Sequence, residues 1–518
     1  MDSLIVTGDL YLLAFGIIFV LSSVAVLVAK RRKGAAALGI SIFSRRSAPA
    51  TSPPQPPSLR SKVILDPLAS IDRAPSSASC STDYVRTFPP SGRHALLELA
   101  KKGSAIDKRA LIAFDSLAEL LVRDILPMIR PYYLDNHSPK YSPTGFSTEE
   151  IRAMGDFPAY DVLSGVPLPV PYEKFDPAKA LPRPYRPFRW VYHQTMALTK
   201  MEPDWWLEIE KGYVSKVRER QDLFRQYGNK VLDFLPGSEL ACKELMEMCL
   251  QFYCARYPTY FRLSANKRTF HNSLLQTDSD IKSMHPLRVL LDNVPEDFAV
   301  MLRNENDGAY YFRAGVICSS LGWNVGTKLG LQLKEIHSPI PDYKEKMSFS
   351  MDRYFSKMTT NAPIQRGSWG LEVGSPLFMP PGHPHEKLRE VQKPDLTIEE
   401  CNLRVDWQTL RRLPLSGGIV FNFKALFTPV QEFRDERYIP ALLLKALKEG
   451  KRSLMGYKNT WHVEHVCIPA LAEYAQEQTA RGMVKPENTA DNVWDVTTLM
   501  ESPFFPGWEK KWHRQQGF

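Results

Sequence analysis

The sequence predicts an α+β protein, an antiparallel sheet flanked by helices and preceded by one N-terminal transmembrane helix. Three observations carry this. Beyond about residue 90, helical and strand-like patterns alternate irregularly, not in a repeating βαβ order. Individual segments nevertheless carry clear helical or strand spacing. One uncharged apolar run, Leu10 to Ala29, has no counterpart elsewhere in the chain.

That run is about twenty residues long, enough for a helix to cross the hydrocarbon core. A cleaved signal peptide carries positive charge ahead of a shorter apolar stretch, whereas Asp2 and Asp9 precede this one. Lys30, Arg31, Arg32 and Lys33 follow directly, and basic residues beside a span are retained on the cytoplasmic side. The expectation is a single-pass membrane protein whose soluble part faces the cytosol, the endoplasmic reticulum being the expected membrane. Residues 1–33 form the anchor and its basic flank, and 34–90 a Pro/Ser-rich linker containing Pro53, Pro54, Pro56 and Pro57.

Of the net charge of +9, the first 62 residues hold +6, with eight Lys or Arg against two Asp. The remainder is close to neutral, so nothing in the composition calls for a nucleic-acid partner. Seven cysteines without a CxxC pair describe neither a disulfide framework nor a zinc site, and fit a reducing compartment. Cys242 and Cys249 read as small buried apolar residues on a helix. Asn136 opens an Asn-His-Ser sequon that a cytosolic domain would not expose to glycosylation.

Asp204 is a plausible N-cap for a helix with Trp205, Ile209, Tyr213 and Val217 along one stripe, ended by Gly228. A second helix is expected from near Ser238 to Arg256, before Pro258. After the turn signal Asn306-Asp307-Gly308, the run Ala309 to Cys318 reads as a strand with a polar break at Arg313. Another strand follows Gly417 and Gly418. In it Ile419, Phe421, Phe423, Ala425 and Phe427 share one face, and Asn422 and Lys424 the other.

The segment Lys328 to Tyr343, KLGLQLKEIHSPIPDY, reads as a strand ending at His337 and the ladder-breaking Pro339 and Pro341. His337 would share a face with Leu331 and Leu333. A histidine on an apolar face can ligate iron through one nitrogen while the other donates to a carbonyl, although a structural role is the commoner outcome. His462 and His465 in WHVEH form an i, i+3 pair without further ligands, and His383 and His385 sit in a Pro-rich loop. Asp278 and Asp280 form a DxD pair of the kind that holds a cation with a sugar nucleotide. A lumenal glycosyltransferase would place its domain on the other side of the membrane. Neither a GxGxxG nor a GxxxxGK[ST] loop occurs, and there is no GxSxG elbow.

Several segments together resemble the haem-dependent oxidative N-demethylase-like family, which has many fungal members. They begin with Arg186 to Met201, Trp206, Tyr213, Arg220 and the RYP at Arg256 to Pro258. The most specific are VPEDF at Val294 to Phe298, W-x4-K-x-G-x5-IHSPIP from Trp323 to Pro341, DRYF at Asp352 to Phe355, and LRVDWQTLRRLPLSGGIVF from Leu403 to Phe421. GYK at Gly456 to Lys458 closes the region. The resemblance spans residues 180–460 of an expected domain at 91–460, with 461–518 as a C-terminal extension.

The resemblance implies a PAS-like haem-binding sheet whose iron activates oxygen to oxidise a small organic amine. His337 is then the axial iron ligand, with Lys328 as a second cofactor-binding residue and Arg366, Trp369, Arg404 and Gln408 as catalytic residues. Two departures stand out. Arg366-Gly367-Ser368-Trp369 lacks the amide of the usual Arg-x-Asn-Trp, and Asp406-Trp407-Gln408 replaces Glu-Arg-Gln, so an arginine expected near the pocket becomes an indole. No ferredoxin cysteine pattern or flavin fingerprint occurs, so a separate reductase is expected to supply electrons. The leading expectation is a membrane-anchored haem-dependent monooxygenase. A haem-binding sensor or carrier without turnover, and a type II membrane glycosyltransferase using the DxD pair, are the alternatives.

Overall fold

A computed structural model of the 518-residue chain describes residues 144, 146 and 148–517, apart from 191–194, 305–306 and 486–498. These belong to the second of two compact units, Asp66–Phe518. The expected anchor, basic flank, linker and sequon lie outside the described residues. Among the described residues, no helix is long and apolar enough to cross a membrane.

The fold is α+β, built on a seven-stranded antiparallel sheet. Its strands are β1 (Thr199–Lys200), β2 (Leu232–Phe234), β6 (Asp297–Arg303), β7 (Tyr310–Val316), β8 (Ile364–Val373), β9 (Cys401–Arg412) and β10 (Ile419–Pro429), in the order β1-β8-β9-β10-β6-β7-β2. A smaller antiparallel sheet joins β3 (Phe261–Leu263), β4 (Thr269–Asn272) and β5 (Thr277–Asp280). The helices used below are α1 (Tyr213–Tyr227), α2 (Glu239–Arg256), α3 (Pro286–Asn293), α4 (Val325–Lys328), α5 (Leu333–Ile336), α6 (Ser348–Lys357), α7 (Ile439–Glu449), α8 (Arg452–Lys458), α9 (Trp461–Ala480) and α10 (Trp508–Gln515).

Side chains alternate across a strand, so each face of the sheet has its own cover. On one face, Phe298, Val300 and Val420 pack against α1, α2 and α3, while Trp369, Leu371, Leu403 and Val405 pack against α7, α9 and α10. Helix α10 docks its aromatic side: Trp508 and Trp512 join this core, and the Trp512 indole donates to the Leu181 carbonyl at 3.0 Å. On the other face, Ala299, Met301, Phe312, Leu410 and Ile419 lie under α6 and residues 343–347.

The expected strands at 309–318 and 419–427 form, and the polar break at Arg313 is where the β6/β7 register shifts. Ser238 stands at the N-cap position of α2, and Cys242 and Cys249 are buried on it. The helix expected from Asp204 is corrected. Only a 3-10 turn forms at Pro203–Trp205, and α1 begins at Tyr213 after Gly212. The Asp204 carboxylate does not cap a helix: it accepts from the Val170 amide at 2.9 Å and approaches Arg256. Gly228 ends α1 as expected.

Two of the family-like motifs are architectural. Arg220 on α1 donates to the Glu296 carbonyl at 2.7 Å and pairs with the Asp297 carboxylate, which also accepts from the Cys318 amide at 2.8 Å. The VPEDF segment is thereby clamped at the start of β6. Glu244 on α2 accepts from the Ser416 amide and hydroxyl at 2.9 and 2.7 Å, fixing the β9/β10 hairpin turn.

Candidate functional site

The second sheet face is covered over β6 and β7 but only partly over β8, β9 and β10, and there it forms a cleft. Register sets the cleft floor in rows: Arg366, Gln408 and Phe423 lie side by side on β8, β9 and β10, with Ile364, Leu410 and Phe421 in one flanking row and Ser368, Asp406 and Ala425 in the other. The Arg366 guanidinium donates to the Gln408 side-chain oxygen at 3.0 Å. The Phe421 and Phe423 rings stand 4.5 Å apart, and the Trp323 ring is 6.5 Å from Phe423. All three are only partly buried, as are Ile336 and Ile340 beside them.

His337 comes to this cleft by a route other than the one expected. The strand predicted for Lys328 to His337 does not form, and two short helices take its place. The L-x-L-x-L alternation imitates a strand, but Asn324 with Thr327, and Gln332 with Glu335, make capping boxes that start α4 and α5. His337 is the C-cap of α5. Its Nδ1 donates to the Leu333 carbonyl at 2.7 Å, leaving Nε2 without a partner among the described residues. The ring stacks on Tyr343 at 5.6 Å. Burial above all, then the cationic Arg366 and Lys328, push the imidazole down to about 4, against the opposing pull of the Leu333 hydrogen bond. Lys328 ends α4 with its ammonium 4.2 Å over the Trp323 ring, and burial pushes it down to about 8.

Of the residues marked from the sequence, His337, Lys328, Arg366 and Gln408 therefore converge. Trp369 and Arg404 do not. Trp369 points to the opposite face, where its ring meets Phe188 at 5.2 Å within the second core. Arg404 lies on the cleft face, but its guanidinium is engaged by the Pro376, Leu377 and Ser319 carbonyls and by Asp406. The expectation that Trp407 replaces a pocket arginine is corrected as well. Trp407 faces away from the cleft, donates to the Gln365 side chain at 2.9 Å and lies across from Lys424. The cavity there, lined by Trp407, Lys424, Arg183 and Glu208 among others, measures about 40 Å³, room for a few waters and not for a macrocycle.

The weaker candidates are dispersed. Asp278 approaches His271 at 2.6 Å and Asp280 pairs with Arg268 at 2.7 Å in the small sheet. His462 is buried in the first turn of α9, His465 approaches the Lys393 carbonyl, and His383 accepts from the His385 amide. Among the described residues, no group of three or more His, Cys, Asp or Glu could hold a bare metal ion. A lone anchored imidazole, aromatic walls and two nearby cations fit a haem, which brings four ring nitrogens of its own and two carboxylates.

Sequence reading missed Phe423 and Asp406 as site residues. Phe423 carried a signal, since a strand face of aromatics left half open marks a binding surface.

A family model for the haem-dependent oxidative N-demethylase, alpha subunit-like proteins matches residues 197–468, which contain every part of this cleft. The match covers more than half of the chain and takes in both sheets and all the motifs from Trp206 to Lys458. The chain thus belongs to the haem-dependent oxidative N-demethylase, alpha subunit-like family.

Proposed function

We propose that this protein is a membrane-anchored haem-dependent monooxygenase that oxidises a small organic amine at the carbon beside nitrogen, with haem bound in the cleft over β8, β9 and β10. The observation that carries the reading is His337: its Nδ1 is tied to the Leu333 carbonyl, so the remaining nitrogen is an anchored lone-pair donor on an apolar wall. When bound, haem supplies an iron centre at which oxygen is activated.

The chain's own residues do the rest. Nε2 of His337 would hold the iron. Phe421, Phe423, Trp323 and Ile336 exclude water and present an apolar bed to the ring system. Lys328, steadied on Trp323, and Arg366, steadied by Gln408, are positioned for carboxylates. The antiparallel sheet with one half-open face supports the PAS-like expectation. In this reading Leu10 to Ala29 anchors the protein, the cytosolic face of the endoplasmic reticulum presents it to a separate reductase, and no nucleic acid is involved.

The test is oxygen uptake coupled to aldehyde release from an amine in the presence of a reductant, with His337→Ala as the control. Uptake that depends on amine and on His337 supports the reading. A haem-loaded chain that takes up no oxygen with any amine would assign the second reading, a haem sensor or carrier. That reading is favoured by Ser368, which sits on the cleft face one row from Arg366 where the family pattern has an amide.

A further inference from the structure

A buried arginine needs acceptors, because a charge taken out of water without compensation is strongly destabilising. Arg412 on β9 shows the usual arrangement. Its guanidinium donates to the Met358 and Gly417 carbonyls at 2.6 and 2.9 Å, to the Tyr310 hydroxyl at 3.0 Å and to the Phe355 carbonyl. Arg411, its neighbour in sequence, points to the sheet face turned away from the cleft, in one row with Val420 and Val300. It is only 8% exposed, its Nε is buried and unbonded, and among the described residues nothing accepts a hydrogen bond from it or pairs with its charge.

What Arg411 touches is aromatic and uncharged. The guanidinium lies 4.1 Å over the Trp206 ring, and the buried Trp206 indole N–H likewise has no acceptor among the described residues. The titratable group acting on Arg411 is the Cys249 thiol on α2, which burial holds protonated. Burial pushes Arg411 down only to about 10, so it stays cationic at neutral pH. One stacked pair therefore carries two sets of unsatisfied donors and a full positive charge. The small surface that Arg411 keeps accessible lets a species about the size of water reach it.

We propose that Arg411 and Trp206 form a binding site for a small monovalent anion such as chloride, on the face of β9 opposite the cleft. The guanidinium supplies the charge and its forked N–H donors, and the indole supplies a further N–H. Val300 and Val420, with Phe252 standing 5.7 Å from the Trp206 ring, keep the surroundings apolar, which strengthens a charge-assisted contact. A single negative charge balances the single cation. No residue of the cleft takes part, so the inference stands apart from the haem reading.

The test follows the thermal midpoint of the full chain by circular dichroism while gluconate is exchanged for chloride at constant ionic strength. An anion held only by the folded state raises the midpoint, and a rise of at least about 1 °C is expected. Arg411→Met keeps most of the volume and removes the charge. It is expected to abolish the rise and, in gluconate, to be at least as stable as the parent, because no unpaired charge remains in the core. Trp206→Phe keeps a stacked ring without the N–H and is expected to require a several-fold higher chloride concentration. A parent midpoint indifferent to chloride, or a rise that persists in Arg411→Met, overturns the inference. Should Arg411→Met not fold, Arg411→Lys replaces it: loss of the fork is expected to raise the chloride requirement several-fold, and an unchanged response in both Arg411→Lys and Trp206→Phe overturns the site.

Discussion

Nδ1 of His337 lies 2.7 Å from the carbonyl oxygen of Leu333, one helical turn earlier, and that contact fixes what the imidazole can do. A carbonyl only accepts, so Nδ1 carries the proton and the lone pair is confined to Nε2. The anchoring needs α5 to be helical, which Glu335 ensures by accepting from the Gln332 amide at 2.8 Å. Glu335→Ala removes this reciprocal cap and is expected to lower haem affinity several-fold without unfolding the chain, read by transfer of haem to an apo-globin acceptor. An unchanged transfer rate would show that α5 needs no cap.

The opposite orientations of Trp407 and Gln408 give a direct test of the face assignment. Trp407→Phe loses the bond to Gln365 on the closed face and should cost about 1 kcal/mol of stability while leaving haem absorption unchanged. Gln408→Leu removes the oxygen that accepts from Arg366 at 3.0 Å on the open face and should alter the band or ligand binding. The reverse pattern would place the cleft on the wrong side of the sheet.

Arg220 and Asp297 form an ion pair in which both side chains are at most 3% exposed. Breaking a buried pair strands a charge, so Asp297→Ala should destabilise by roughly 3–5 kcal/mol in urea unfolding. A loss below about 1 kcal/mol would contradict the architectural role given to VPEDF.

His462, completely buried, is pushed down to about 4 by burial first and then by Arg389. Its folded value lies below the ordinary 6.5, so the unfolded chain binds the proton more readily. The neutral imidazole's contribution is therefore complete above about pH 6.5 and is lost as pH falls toward 4. Glu244 and Glu296, pushed up to about 7 by burial, drive the opposite slope, so the difference between variants is the readable quantity. The destabilisation caused by His462→Gln should be larger at pH 7.5 than at pH 5, by an amount on the order of a few kcal/mol. A difference independent of pH would contradict it.

The sheet was legible where period-two spacing stood next to glycine: β10 reads directly from its five alternating apolar residues after Gly417 and Gly418. What period two cannot tell is which faces are covered. Asn422 and Lys424 look like a solvent face, yet both are buried, with Asn422 bonded to Glu296 and Lys424 donating to the Glu208 carbonyl at 2.6 Å. It is the phenylalanine face that stays half open. The same ambiguity made Lys328 to His337 read as a strand, because polar side chains at helix starts outweighed the apolar alternation. His337, Lys328, Arg366 and Gln408 were nevertheless marked through the family motifs, and the fold brings these four together. Asp406 joins them only through the pairing of β8 with β9.

The most direct measurement of the central claim is the ultraviolet-visible spectrum of the full chain purified after expression with haem supply, beside His337→Ala and Trp407→Phe. A strong haem band in the parent and in Trp407→Phe, shifted or lost in His337→Ala, is the expected result. A folded parent without that band, or a band identical in His337→Ala, would contradict the placement of haem on His337.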